Sequence, residues 1–561
     1  MSSESLPLHL SSISETATGK TDQPGLDGTE NVCPGRHARR RHTLWNILFL
    51  AAYGMCLFVL IAHHEVSRDE VRAYSIARAA SDPVDLVRNR LVNEGHPPLW
   101  YLTLWLGSRA WDDYAVLKIA SLIAGLSVAS VVFLASPFPL IHRCIFLFGS
   151  FPLFFFSVLC RGYGLAALLI LLLAVEYSRV PMGSPWRVGG YNALLANATV
   201  YGAMVACAFL LVPLGKNPEA GFSRRSSLGV ITLLTAVGLA LSLYTIWPTH
   251  DNLMVGSNGM RSLQAGYANL ASEGFRSLYG VLTDQQGWTG FILTAYNVRF
   301  KLYQLGYHSL ATLTGVVGLS AILALFIRWP HILIAFGFCF VSAGLFSTLV
   351  YPAYSYHIAV IGTFLFALLW IAWSRYYRAG TVYWRFVTYF LGFCLLFHAL
   401  DGMKAVWADL RKPFSSKIAG AFLKQAYPNA VVICEPDVYG ESLPYYAANS
   451  IYLVRERAFG KWVHFEEHFN RTMTLGEMMD ASTQIKKASG KTVLVCLPKP
   501  IEEFQPGYFY GFYGRNLEIS NEELRQFRSE FHKVASFAGG SEMYVFYKDG
   551  NISGHSPSSD Q

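Results

Sequence analysis

Apolar and polar positions divide the chain into two halves of different character. From Thr43 to about residue 400, long uncharged runs alternate with short polar or basic breaks. The first run, Thr43 to Ala62, has the length of a membrane-crossing helix, which needs roughly 17 to 25 apolar residues to span about 30 Å of hydrocarbon. Further spans are predicted near 115–136, 144–159, 163–177, 228–247, 302–327, 332–350, 357–373 and 386–400, and 188–214 reads as a hairpin of two short helices. Beyond residue 400 the runs shorten. "AVVICEPD" (Ala430 to Asp437), "SIYLV" (Ser450 to Val454), "KTVLVCLP" (Lys491 to Pro498) and "EMYVFYK" (Glu542 to Lys548) predict short buried strands. Between them "SSKIAGAFLKQA" and "TLGEMMDASTQIKKA" have helical spacing, the second opening on a Thr474/Glu477 capping box. The fold class expected is a polytopic α-helical membrane protein of about eleven spans with a C-terminal soluble α/β domain.

Composition agrees. Hydrophobic residues make up 53% of the 561 and aromatic residues 15%, so most of the chain is expected in the membrane. The formal net charge of +8 comes from short basic clusters between apolar runs, which serve topology and imply no nucleic-acid partner. Residues 1–42 are polar, lack an apolar core and end in "RHARRRH", as expected of a disordered tail held in the cytoplasm by the positive-inside rule. Arg143, Arg179 with Arg187, Lys216 with Arg224 and Arg225, Arg328, and Arg375 with Arg378 then fall on the same side. The division is a tail (1–42), a membrane domain (43–400) with outer loops 63–113 and 248–301, and an extracytoplasmic α/β domain (401–561). It requires that "PPLWYLTLWLGSRAW" (Pro97 to Trp111) lie at the interface, since about 14 helical residues reach only ~21 Å. A crossing there would invert the segments after it. Nine cysteines are scattered, with Cys434 and Cys496 the one plausible pair. The α/β domain lacks a Gly-rich phosphate loop, so no nucleotide is assigned to it.

Just past the first span, "HHEVSRDEVRAY" (His63 to Tyr74) concentrates ionisable groups. Ser67 and Glu70 have capping-box spacing, so both Asp69 and Glu70 have a structural explanation at a helix start. Neighbouring helical positions point about 100° apart, which favours a division of labour: Glu70 holds the helix end and Asp69 projects into a cavity.

Four motifs in order carry a family resemblance: the Asp69–Glu70 pair, "EGHPPLWYLTLW" (Glu94 to Trp105), "AVLKIASLIAG" (Ala115 to Gly125) and "CRGYGLAALLILL" (Cys160 to Leu172). Over about residues 20–400 the chain resembles the multi-spanning lipid-linked sugar transferases of the GT-C superfamily. Within it, the likeness is to the protein O-mannosyltransferases and aminoarabinose transferases (glycosyltransferase family 39-like). The resemblance implies inverting transfer of a sugar from a polyprenyl or dolichyl phosphate carrier to a glycan, lipid or protein acceptor on the periplasmic or lumenal face. The protein would then be integral to a bacterial inner membrane or an endoplasmic reticulum membrane. Asp69 matches the acidic position expected of the general base, with Glu70 beside it.

The leaving lipid phosphate gains negative charge as its bond to the sugar breaks, and His96, Lys118, Arg161 and His357 are the candidates to meet it. Arg161 is an arginine on the outer side, against the positive-inside trend, and so wants an anionic partner. Lys118 has a second explanation in snorkelling, and His96, held before Pro97 and Pro98, in stabilising the loop. In the aminoarabinose branch the place before the prolines is commonly a lysine, and relatives often have Arg-His where this chain has Tyr356–His357. Tyr163 and Trp100 would line the lipid or sugar groove. On this view the α/β domain is a family-variable appendage.

Asp69, Glu70, His63, His64 and His96 offer ligands for a divalent metal, yet no pair has spacing that fixes an ion, and none is assigned. Asn197, Asn470 and Asn551 are sequons, of which the last two would lie outside. Two other classes stay open, a transporter or flippase and a non-catalytic scaffold. Transporters usually show internal repeats and helices broken near the midplane, whereas here no repeat is evident and the candidate residues gather at one face.

Overall fold

The helix Ser355–Tyr376 is apolar all round and buried from His357 to Trp373, as expected of a helix enclosed by other helices. In the computed structural model, residues 36–179, 182–214, 224–249, 251–252, 320–321, 323–350, 354–411, 414–469, 471–510, 515–539 and 542–550 are described. Residues 1–35 of the tail, most of the 302–327 span and of loop 248–301, and the sequons Asn470 and Asn551 lie outside them, while residues 36–42, expected to be disordered, are helical and continue into the first apolar run as Arg36–His63. Contacts divide the chain into two units, Met1–Leu48 and Phe49–Gln561, and the second holds both sheets and every helix from Arg68 onward.

Among the described residues, six helices are long and apolar enough to cross a membrane. They contain Leu44–His63, Ala115–Ala135, Ser226–Ile246, Pro330–Ser347, Ser355–Tyr376 and the run beginning at Val382. Leu140–Leu147 and Phe151–Val158 meet at 43° and would make a seventh span if taken together. Pro152, in the first turn of the second segment, lacks the N–H that would continue the ladder. The 188–214 region is a hairpin of short helices, Pro185–Ala196 and Val200–Phe209. Leu99–Ala110 is a helix of 12 residues, about 18 Å long. The last membrane helix runs from Val382 to Arg411, well past residue 400.

Each of the four apolar runs beyond residue 400 forms a strand. A six-stranded sheet has the order β3-β2-β1-β5-β9-β8, where β1 is Val431–Cys434, β2 Ser450–Leu453, β3 Ala458–Phe459, β5 Val493–Leu497, β8 Phe531–Gly539 and β9 Glu542–Asp549. β1 is parallel to β2 and β5, while β9 runs antiparallel to β5 and β8. β1 and β5 are buried throughout, as central strands covered on both faces must be. Leu475–Ser489, capped by Thr474 and Glu477, contributes Met478 and Met479 to one face, and Ser415–Ala426 contributes Ala419 and Leu423 to the other. A second sheet has the order β4-β7-β6: Met473–Thr474, Asn516–Ile519 and Gly507–Tyr510. Cys434 and Cys496 are register partners on β1 and β5 and are free thiols.

Candidate functional site

The ends of several helices converge where the first outer loop begins. Lys118 Nζ donates to the carbonyls of Ala62 (3.1 Å) and His64 (2.9 Å), closing the end of the first span onto Ala115–Ala135. Asp409, near the end of the last membrane helix, accepts from His64 at 3.0 Å. Leu99 N–H donates to the carbonyl of Asn197 (2.9 Å), at the tip of the short hairpin. The Asn197 side chain is buried and donates to Ala193 and Gly238, which leaves this sequon unavailable to a glycan.

The helix Arg68–Ala79 starts at Ser67 and separates the two acids as the 100° step requires. Glu70 has no accessible surface. Its carboxylate accepts from the Ser67 amide at 2.5 Å, from the Cys160 amide at 2.6 Å and from His64 Nε2 at 3.1 Å. Burial would push the His64 ring toward neutrality, but Glu70 and Asp409 together raise it to about 10, so it is cationic at neutral pH. Asp69 keeps 42% of its side chain accessible, and its Oδ2 lies 3.2 Å from Arg161 Nη1. Burial alone would raise the Asp69 carboxyl, yet Arg161, Arg68 and His96 hold it below its ordinary value.

Arg161 is placed by the glycines of "CRGYG". A Cβ on Gly164 would come within 2.4 Å of the Phe156 carbonyl oxygen, an approach that requires glycine, and one on Gly162 would lie tightly, 3.0 Å from Trp100 Cβ. The guanidinium sits over two rings, its Cζ 5.5 Å from the centre of Tyr163 and 5.2 Å from that of Tyr356. Tyr356 thus packs against the site's cation. His357 lies in an aromatic cage, its ring 4.7 Å from Tyr201, 4.5 Å from Tyr356 and 5.8 Å from Tyr163 between centroids, and its Nδ1 accepts from the Tyr354 amide at 3.0 Å. His96 follows Asn93 and Gly95, both with left-handed backbone (φ 62° and 66°), and is held by the two prolines after it. Burial and the Arg161 charge push its pKa down to about 4. At pH 7 it offers a neutral imidazole, not a cation. Trp100 is buried, with an indole N–H that has no hydrogen-bond partner among the described residues.

The structure thus brings Asp69, Arg161, Tyr163, His357 and His96 to one place and directs Lys118 and Glu70 to structural bonds. Tyr201 joins the site from the hairpin, where nothing in its apolar surroundings singles it out. Of the five loop residues able to bind a metal, Glu70 and His64 bind each other and His63 Nδ1 lies 2.8 Å from the Val59 carbonyl. Asp69 and His96 alone fall short of the three or four protein ligands a fixed zinc site would need. Among the described residues, Asp251, Glu466 and His468 are close enough to share a cation.

No family model and no curated protein matches the chain. Solved structures do match, among them two of one protein. ArnT from Cupriavidus metallidurans bound to undecaprenyl phosphate is 12% identical with a TM-score of 0.39, over 92% of this chain and 100% of that one. The same protein in the apo state is 13% identical with a TM-score of 0.40, over 90% of this chain and 98% of that one. At that distance the likeness assigns neither a substrate nor a residue role.

Proposed function

We propose that the protein is a membrane glycosyltransferase that moves a hexosyl or pentosyl group, with inversion, from a polyprenyl- or dolichyl-phosphate carrier to a glycan, lipid or protein acceptor. One observation carries this reading: an accessible carboxylate, Asp69, stands 3.2 Å from a guanidinium, Arg161, that is itself only 16% exposed. The two groups offer the halves of the chemistry side by side. Asp69 takes the proton of an acceptor hydroxyl as its oxygen bonds to the anomeric carbon. The bond from that carbon to the phosphate oxygen breaks, its electron pair stays on the oxygen, and Arg161 stabilises the charge that develops there. Neutral His96 contributes a hydrogen bond, and Tyr163, Tyr201, Tyr356 and His357 form an aromatic wall suited to a sugar face or a prenyl chain.

In this proposal the shorter helices Tyr163–Ser178, Pro185–Ala196 and Val200–Phe209 count with the longer ones toward eleven spans. The N-terminal tail (1–42) is cytoplasmic, residues 43–400 form the membrane domain, and residues 401–561 lie outside, on the side of Asp69. The basic clusters support that orientation. So do the contacts of the α/β region with residues 65–72, such as Lys417 Nζ to Glu65 at 2.8 Å. The test is an Asp69→Asn variant that inserts and folds normally. Loss of transfer is expected, and full biological activity would favour transport or scaffolding.

A further inference from the structure

Arg72 lies three residues beyond Asp69 on the same helix and is buried, 6% exposed, in contact with groups from two other parts of the chain. Its Nε donates to Glu94 at 3.0 Å, two residues before His96. Its Nη1 pairs with Glu441, and its Nη2 donates to the carbonyl of Val463 at 2.8 Å, both in the α/β region. Glu441 is fixed in turn by the Val463 amide at 2.7 Å, and the Phe465 ring lies 4.4 Å from the Arg72 guanidinium carbon. One planar fork therefore ties together the helix of Asp69, the loop of His96 and the α/β region. A second link is parallel to it: Tyr446 Oη donates to the carbonyl of Val66 at 2.9 Å, just before the helix starts.

We propose that Arg72 and Glu441 are positioning residues for sugar transfer, through which the α/β region sets where Asp69 stands relative to Arg161 and His96. The region is then a working part of the active centre and not an appendage. This rests on the proposed role of Asp69 as the base. The geometry is specific enough to matter, because a displacement of about 1 Å at a reacting group can cost ~10²-fold in rate. Buried groups that served docking alone would affect whether the α/β region stays attached, not the rate at which a bound donor reacts.

The test uses the full-length protein in detergent with a panel of polyprenyl- and dolichyl-phosphate sugars. Glu441→Gln removes the charge and keeps the shape. It is expected to lower kcat by about 10- to 100-fold and change the donor KM by no more than about 3-fold. Amide hydrogen exchange across residues 67–80 should speed up at the same time. Tyr446→Phe should show the same split more weakly, and is the variant to read if Glu441→Gln does not fold. A kcat within about 2-fold of the parent in the folded variant, or a loss confined to KM, overturns the proposal. Asp69→Asn, measured alongside, separates the two claims. If it retains turnover the base assignment fails and this inference with it, whereas an inactive Asp69→Asn with a normal Glu441→Gln sinks only the positioning role.

Discussion

Arg161 Nη1 stands 3.2 Å from Asp69 Oδ2, while Glu70, the next residue, has no accessible surface and is held by two backbone amides and His64. Adjacent acids in one helical turn thus have separate fates. Asp69→Asn should cost ~10²- to 10⁴-fold in transfer rate in protein that still inserts and folds, because an amide cannot take the acceptor's proton. Glu70→Gln should do the opposite. A glutamine could still cap Ser67, but it cannot serve the Cys160 amide and a cationic His64 equally well, and about 1–3 kcal/mol of stability should be lost. Paired kinetics and thermal unfolding of the two variants check this; a stable, inactive Glu70→Gln would contradict it.

The same ion pair sets a pH dependence. Burial raises Asp69, and Arg161 with Arg68 and His96 outweighs it, against the nearby Glu542, so the folded pKa is depressed below 3.8. A depressed carboxylate stays ionised, and contributes its stability, until the pH falls through its folded pKa. Acid inactivation of kcat/KM through this group should therefore lie below the ordinary carboxylate range. Arg161→Gln removes the first of the charges that lower Asp69 and should shift the limb upward, whereas Arg161→Lys keeps the charge without the fork and should retain partial activity. An acid limb unmoved by Arg161→Gln would separate the two residues.

His64 gives a stability signal of opposite sign. Its folded pKa, raised from 6.5 to about 10, means that its contribution is complete below 6.5 and lost as the pH rises through about 10. Thermal unfolding in detergent should show a decline across that alkaline window, and His64→Asn should flatten it. An equal decline in both proteins would assign it to other groups.

Legibility in the sequence depends on whether a feature is local. The runs around Val431–Cys434 and Val493–Leu497, the Thr474/Glu477 cap and the hairpin at 188–214 are all set by neighbours within one element, and each is readable. So is the split between Asp69 and Glu70, since it follows from a 100° step. The helix Asn521–Glu530 also has its signal in neighbours, the capping box of Ser520 and Glu523 followed by buried Leu524 and Phe527 at i, i+3, though the run is short and otherwise polar. β8 gives no signal because Phe531–Gly539 is an edge strand, half exposed, without a buried run. The tie between Arg72 and Glu441 joins residues 369 positions apart, and that between His64 and Asp409 residues 345 apart. No spacing rule reaches so far. The neutrality of His96 is equally hidden, being a product of burial and of Arg161 arriving from the break just before Tyr163.

Orientation has its own test. With the α/β region outside, protease added to sealed right-side-out cells should remove a tag placed after Gln561. Protection there, with cleavage only after inversion, would reverse the proposed topology.

The central claim, sugar transfer from a lipid phosphate, is tested most directly by incubating the purified full-length protein with a panel of polyprenyl- and dolichyl-phosphate sugars and measuring free lipid phosphate. The predicted result is release that depends on an acceptor and disappears in Asp69→Asn. Folded protein that releases none across the panel, or releases it equally well as Asp69→Asn, would contradict it.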